Sequence, residues 1–150
     1  MDRAELPRCV SCCALLVVAL IGSAIDGQEP KRTVWDGVYT ATQAERGRSA
    51  YMQSCASCHA DDLRGRSTAP SLIEESFLFL WSDMSLGDLF ERTRMLMPSD
   101  RPGSLAADTY ADIIAFIAQK NGFPAGSSEL GTDVAVLKQI AIGEKRTPPR

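Results

Sequence analysis

Five consecutive residues, Cys55-Ala56-Ser57-Cys58-His59, concentrate the chemistry of this chain, and they include its single histidine. Two thiols three positions apart on a helical turn share one face. From that face they can add across the vinyl groups at one edge of a porphyrin as thioethers. The adjacent imidazole then falls under the ring, where its neutral nitrogen can bind iron axially. C-x-x-C-H is the attachment sequence of a c-type haem, so the expected cofactor is one haem c, covalently held through Cys55 and Cys58, with His59 on the iron. Without the histidine, a lone C-x-x-C in an exported chain would read as a local disulfide or a thiol-redox site. As a zinc site the cluster supplies only three ligands, and no second cluster exists. The single imidazole also excludes a bis-His haem.

A sixth iron ligand has to come from the methionines. Met52 lies three residues before Cys55 on the approach to the motif and cannot cross to the opposite haem face. Met84, Met95 and Met97 remain. Met97 directly precedes Pro98 in Met97-Pro98-Ser99-Asp100-Arg101-Pro102-Gly103, where the prolines and glycine oppose helix and favour an extended, projecting loop. Spacing prefers Met97 over Met95 without deciding between them. Filling the core, or a vacant sixth position, are the competing readings.

The rest of the chain sets the context. Its 150 residues suit one domain. With 45% hydrophobic and 23% charged residues, it is neither a polytopic membrane protein, a collagen nor a wholly disordered tail. Sixteen basic against 19 acidic residues, a net charge of -3, is the wrong sign for wrapping nucleic acid. Residues 9–25 carry no charge, follow Arg3 and Arg8, and end near Gly22-Ser23-Ala24, a small-x-small site for cleavage after Ala24. This reads as an export signal over 1–24, or as an uncleaved membrane anchor, since the run is just long enough to span a bilayer. Cleavage removes Cys9, Cys12 and Cys13 and leaves Cys55 and Cys58 as the whole thiol inventory.

Helices must position these groups. Thr40 with Gln43 and Thr42 with Glu45 form overlapping capping signals before a helix that runs up to the motif. Ser85 and Asp88 open a short helix through Arg94, with Leu86, Leu89 and Phe90 as its apolar stripe. Tyr110, Ile113, Ile114 and Ile117 recur at i, i+3, i+4, i+7, and Asn121-Gly122 followed by Pro124 ends the run, so the last long helix spans about 107–120. A weaker fourth is expected over 134–142, before a polar tail. No alternating strand pattern and no internal repeat occurs, and the expected fold class is all-α.

Over about 34–142 the chain resembles the class I cytochromes c, particularly the small exported bacterial domains found near quinoprotein dehydrogenases. The resemblance rests on Gly47, Tyr51 and Cys55 at successive four-residue steps and on Asp112-Ile113-Ile114-Ala115-Phe116 in the last helix. It also rests on Met97-Pro98 followed by Pro102-Gly103-Ser104-Leu105. It implies a small helical fold around one covalently attached haem, with Met97 as the axial thioether and Met95 as its neighbour. It further implies that the carbonyl of Pro70, in Pro70-Ser71-Leu72, accepts from the axial imidazole, which would fix the tautomer. Trp81 is a candidate for lining the haem edge or bonding a propionate, beside the plain reading of a core tryptophan. One departure is Ala106, which stands where the family usually caps the last helix with Ser or Thr. The implied layout is 1–24 signal, 25–39 strap or linker, 40–126 cytochrome c domain, and 127–150 C-terminal extension with a short helix.

With His59 and Met97 both on iron, no coordination position is left for oxygen or substrate. The expectation is therefore an exported, periplasmic electron carrier rather than an enzyme, alone or as the electron-accepting subunit of a dehydrogenase complex. Its partners would be redox proteins, and the net charge of -3 weakly favours a basic docking surface on them. Two other readings differ in class. A weak or absent Met bond would open the iron to peroxide, carbon monoxide or nitric oxide, as in a sensor or an enzyme subunit. Unmodified Cys55 and Cys58 would make a thiol-disulfide module.

Overall fold

A computed structural model describes residues 32–143. The export signal or anchor expected over 1–24 lies outside them. The architecture is all-α: α1 (Ala41–Ser54), α2 (Ala56–His59), α3 (Glu74–Trp81), α4 (Leu86–Leu96), α5 (Ala107–Lys120) and α6 (Val134–Leu137), preceded by a 3-10 turn at Val34–Asp36. Among the described residues there is no strand, only isolated bridges.

Helix α1 begins where Thr40 accepts from Gln43 N at 3.1 Å. The expected box with Gln43 does not close, because that side chain turns inward and pairs twice with the Leu130 backbone. Helix α4 has its full box: Ser85 Oγ accepts from Asp88 N, and Asp88 accepts from Ser85 N. Helix α5 has the expected bounds, and Ala106 supplies no side-chain cap.

The main packing contact is α1 across α5. At Gly47 the two backbones approach so closely that a Cβ would collide with the Asp112 carbonyl and stand 3.0 Å from Ile113 N. Beside the crossing, Tyr51 and Phe116 pack with ring centroids 5.4 Å apart. On the outer side Arg46 forks onto both Asp112 oxygens at 3.0 Å. The crossing joins the helix that leads into Cys55 to the helix that closes the fold.

Two elements differ from the sequence expectation. Helix α3 carries no local start signal in the sequence. Its N-cap position, Ile73, has no capping side chain, and Glu74 is left-handed at φ 60°. The missing acceptor comes from Asn121 at the end of α5, whose Oδ1 takes the Glu74 N–H at 2.9 Å. The expected helix over 134–142 shortens to one turn, α6. Ile140 and Ile142 are buried, but the chain beyond Lys138 leaves the helix for lateral partners: Leu86 N–H bonds Ile140 O, Ile142 N–H bonds Met84 O, and Ala141 pairs with Arg32 and Val34. These bonds satisfy the backbone from neighbouring segments and remove the advantage of a further turn. Residues 32–39 lie across the fold, with Val34, Val38 and Tyr39 buried and Trp35 Nε1 donating to Gly143 O at 2.8 Å.

Candidate functional site

The five-residue motif sits at a helix break. Cys55 ends α1 with its N–H on Tyr51 O at 2.8 Å, and its own carbonyl accepts from Cys58 N at 3.1 Å and His59 N at 3.0 Å. One turn therefore presents both thiols and the imidazole. Both cysteines are free; Cys55 is half-buried and Cys58 exposed. The following backbone is tied down by Tyr51 Oη, which donates to Ala60 O at 2.7 Å.

His59 is buried, at 7% exposure. Its Nδ1 lies 3.0 Å from the Pro70 carbonyl. A carbonyl can only accept, so Nδ1 carries a proton, and in the neutral imidazole the lone pair is on Nε2. The loop that brings Pro70 there turns at Gly65, which is left-handed (φ 80°) and packed so that a Cβ would strike Ala69 O and come within 2.8 Å of Pro70 C. Gly65 N–H bonds His59 O at 2.9 Å, which closes the loop onto the motif. Asn121 holds the far side: its Nδ2 donates to Leu72 O at 2.9 Å while its Oδ1 accepts from Glu74.

Met97 ends α4 with extended backbone (φ -123°, ψ 153°). It is half-buried, whereas Met95 is 71% exposed and Met52 and Met84 are about 40% and 39% exposed. Its N–H bonds Thr93 O at 2.8 Å, and its carbonyl accepts from Tyr110 Oη at 2.6 Å. Trp81 is buried at the end of α3, 6.5 Å from Phe77 between ring centroids. The structure thus joins His59 directly to Pro70, while Met97 and Trp81 stand on separate segments.

Residues 42–117, half of the chain, match the family described as cytochrome C oxidase, cbb3-type, subunit III. The chain belongs to this family of class I c-type cytochromes. Among solved structures the cytochrome is similar to a chain of the sulfane dehydrogenase SoxCD from Paracoccus pantotrophus, at 20% identity and a TM-score of 0.45. That match covers 71% of this chain and 61% of the other. No curated protein matches it.

The family takes haem c and transfers electrons, and the residues present fit that group. Two free thiols share a turn with a buried imidazole whose Nδ1 is already engaged, so Nε2 is the nitrogen available to a metal. A thiol-exchange role fits less well. Burial, and secondarily the neighbouring Cys58, pushes the Cys55 thiol up to about 11, whereas a catalytic dithiol needs a lowered value. Alkylation of the haem-free chain should therefore label exposed Cys58 before Cys55 at pH 8. Labelling of Cys55 should keep accelerating toward pH 11, as mass spectrometry at several pH values would show; equal rates would contradict this. The same shift favours the folded form below the thiol's ordinary value of 9.0, and that contribution is lost as pH rises through about 11.

The sequence pattern by itself marks Tyr110 only as a core position and Asn121 only as a helix stop. The signal for Tyr110 was available: a hydroxyl on an otherwise aliphatic stripe needs a partner once buried. Which partner it takes depends on the tertiary fold.

Proposed function

We propose that this cytochrome is an exported, single-haem electron carrier in which Cys55 and Cys58 hold the haem as thioethers and His59 and Met97 take the two axial positions. The observation that carries this reading is the buried His59 with Nδ1 committed to Pro70 and Nε2 free. The haem supplies a ferric/ferrous couple. Pro70 keeps the imidazole in one tautomer and raises its basicity. The Met97 thioether, a soft and neutral ligand, favours the reduced state. Trp81 would line the haem edge or bond a propionate through its indole N–H. With His59 and Met97 both holding the iron, oxygen and substrate would be kept off the metal, and the chemistry the haem would supply is outer-sphere electron exchange. The partners are redox proteins that meet the cytochrome in a small transient contact, among them a dehydrogenase donor and an oxidase or cytochrome acceptor. Residues 1–24 deliver the chain to the periplasm or tether it there.

Absorption spectra of the matured protein, oxidised and reduced, test this with Met97→Ala in parallel. The parent should show sharp reduced bands, a weak thioether-to-ferric band near ~700 nm and no carbon monoxide shift. The ~700 nm band should vanish in Met97→Ala. Ready carbon monoxide binding by the parent, or an unchanged variant, would remove Met97 from the iron and favour a sensor or enzyme with open iron.

A further inference from the structure

Met97 is controlled from two sides by different helices. Its N–H belongs to the last turn of α4, through Thr93 O at 2.8 Å. Beyond it the chain turns: Pro98 is buried and Leu105 packs against the core, but residues 99–104 between them are all exposed, so side-chain packing does little to hold the middle of the loop. What meets the Met97 carbonyl is Tyr110, 1% exposed in α5, whose hydroxyl donates to it at 2.6 Å. Gly103 N–H adds a longer bond to the same oxygen at 3.3 Å, and the Tyr110 oxygen also accepts from Leu105 N at 3.5 Å. One buried hydroxyl therefore gathers both ends of the 97–105 loop onto the helix that crosses α1 at Gly47.

From this geometry we infer that Tyr110 is a positioning residue for Met97, holding its backbone so that the thioether stays on the haem iron. The inference rests on the His59/Met97 reading above. A neutral thioether is a weak ligand, and it competes with other iron ligands largely because it is already held in place. Loss of the hydroxyl leaves Tyr110's ring in the core but releases the carbonyl side of Met97. The sixth position should then yield more readily to an added ligand, by about two- to tenfold, the factor that one net hydrogen bond represents.

The test is an imidazole titration of the ferric, haem-loaded full chain, followed at the ~700 nm thioether band, for the parent, Tyr110→Phe, Met97→Ala and Tyr39→Phe. Tyr39 is the control for a merely structural loss, since its hydroxyl makes an equally short buried bond, 2.6 Å to Phe123 O, away from the Met97 loop. Tyr110→Phe should keep the band but lose it at about two- to tenfold lower imidazole than the parent, with the midpoint of Tyr39→Phe unmoved. An unshifted Tyr110→Phe, or an equal shift in Tyr39→Phe, overturns the positioning role while leaving Met97 as ligand. A band that survives in Met97→Ala overturns both readings together.

Discussion

Gly47→Ala lowers the stability of the cytochrome by about 3 kcal/mol or more, at the upper end of what overpacking costs. The new methyl group has no flexible side chain to displace: it meets the carbonyl of Asp112 and the amide of Ile113, both backbone of α5. Two helices must separate, and the contacts next to the crossing go with them. These are the Tyr51–Phe116 ring pair and the Arg46–Asp112 fork. The fork is half exposed on the arginine side and contributes little by itself, so the ring contact and the surrounding burial dominate the loss. The consequence reaches the site, because α1 runs into Cys55 and α5 carries Tyr110 and Asn121. Denaturant unfolding of the haem-loaded protein measures it, with Gly131→Ala as the reference, a position where a Cβ meets nothing within 4 Å. Gly131→Ala should be neutral or slightly stabilising. A Gly47→Ala variant within about 1 kcal/mol of the parent would mean that the helices do not cross as closely as described.

Gln43→Leu is the second large effect, with an expected loss of about 2–5 kcal/mol. Gln43 is 2% exposed, and its amide pairs with both backbone groups of Leu130, Nε2 to O at 2.9 Å and N to Oε1 at 2.7 Å. Leucine keeps the size and abandons both bonds. The Leu130 N–H and carbonyl, buried with a residue only 5% exposed, then lack partners or draw the segment away toward water. Because this pair pins residues near 130 onto α1, the loss should be local as well as global. Limited proteolysis should cut the variant within 125–133 under conditions that leave the parent intact. A variant as stable as the parent and equally resistant there would show that the amide is not needed to hold this segment.

Much of the helical framework was legible because its signals are local. The Ser85/Asp88 box, the stripe from Tyr110 to Ile117 and the Asn121-Gly122 stop place α4 and α5 with little help from the rest of the chain. Helix α3 was illegible for the opposite reason: its first N–H is satisfied by Asn121, 47 residues away, so no capping residue precedes it in the chain. Gln43 looked like a capping partner because a glutamine three residues after a threonine usually is one. Burial against Leu130 gave its amide two stronger claims. The helix expected over 134–142 was cut short by bonds from Arg32, Val34, Met84 and Leu86 that no window of neighbouring residues contains.

The amino-acid sequence by itself determined the chemistry: two thiols and the single imidazole within five residues, a Met-Pro segment at a helix end, and helical periods on either side. Those features depend on covalent adjacency and on the 3.6-residue turn, and neither requires a fold. Tertiary structure alone decided how the groups are held. The Pro70 loop closes on His59, Asn121 ties that loop to α5, and Tyr110 catches the carbonyl of Met97. Each joins residues that lie eleven or more positions apart and that no local pattern pairs. Once water is gone, a buried hydroxyl or amide must find a partner within the protein, and the packing decides which one.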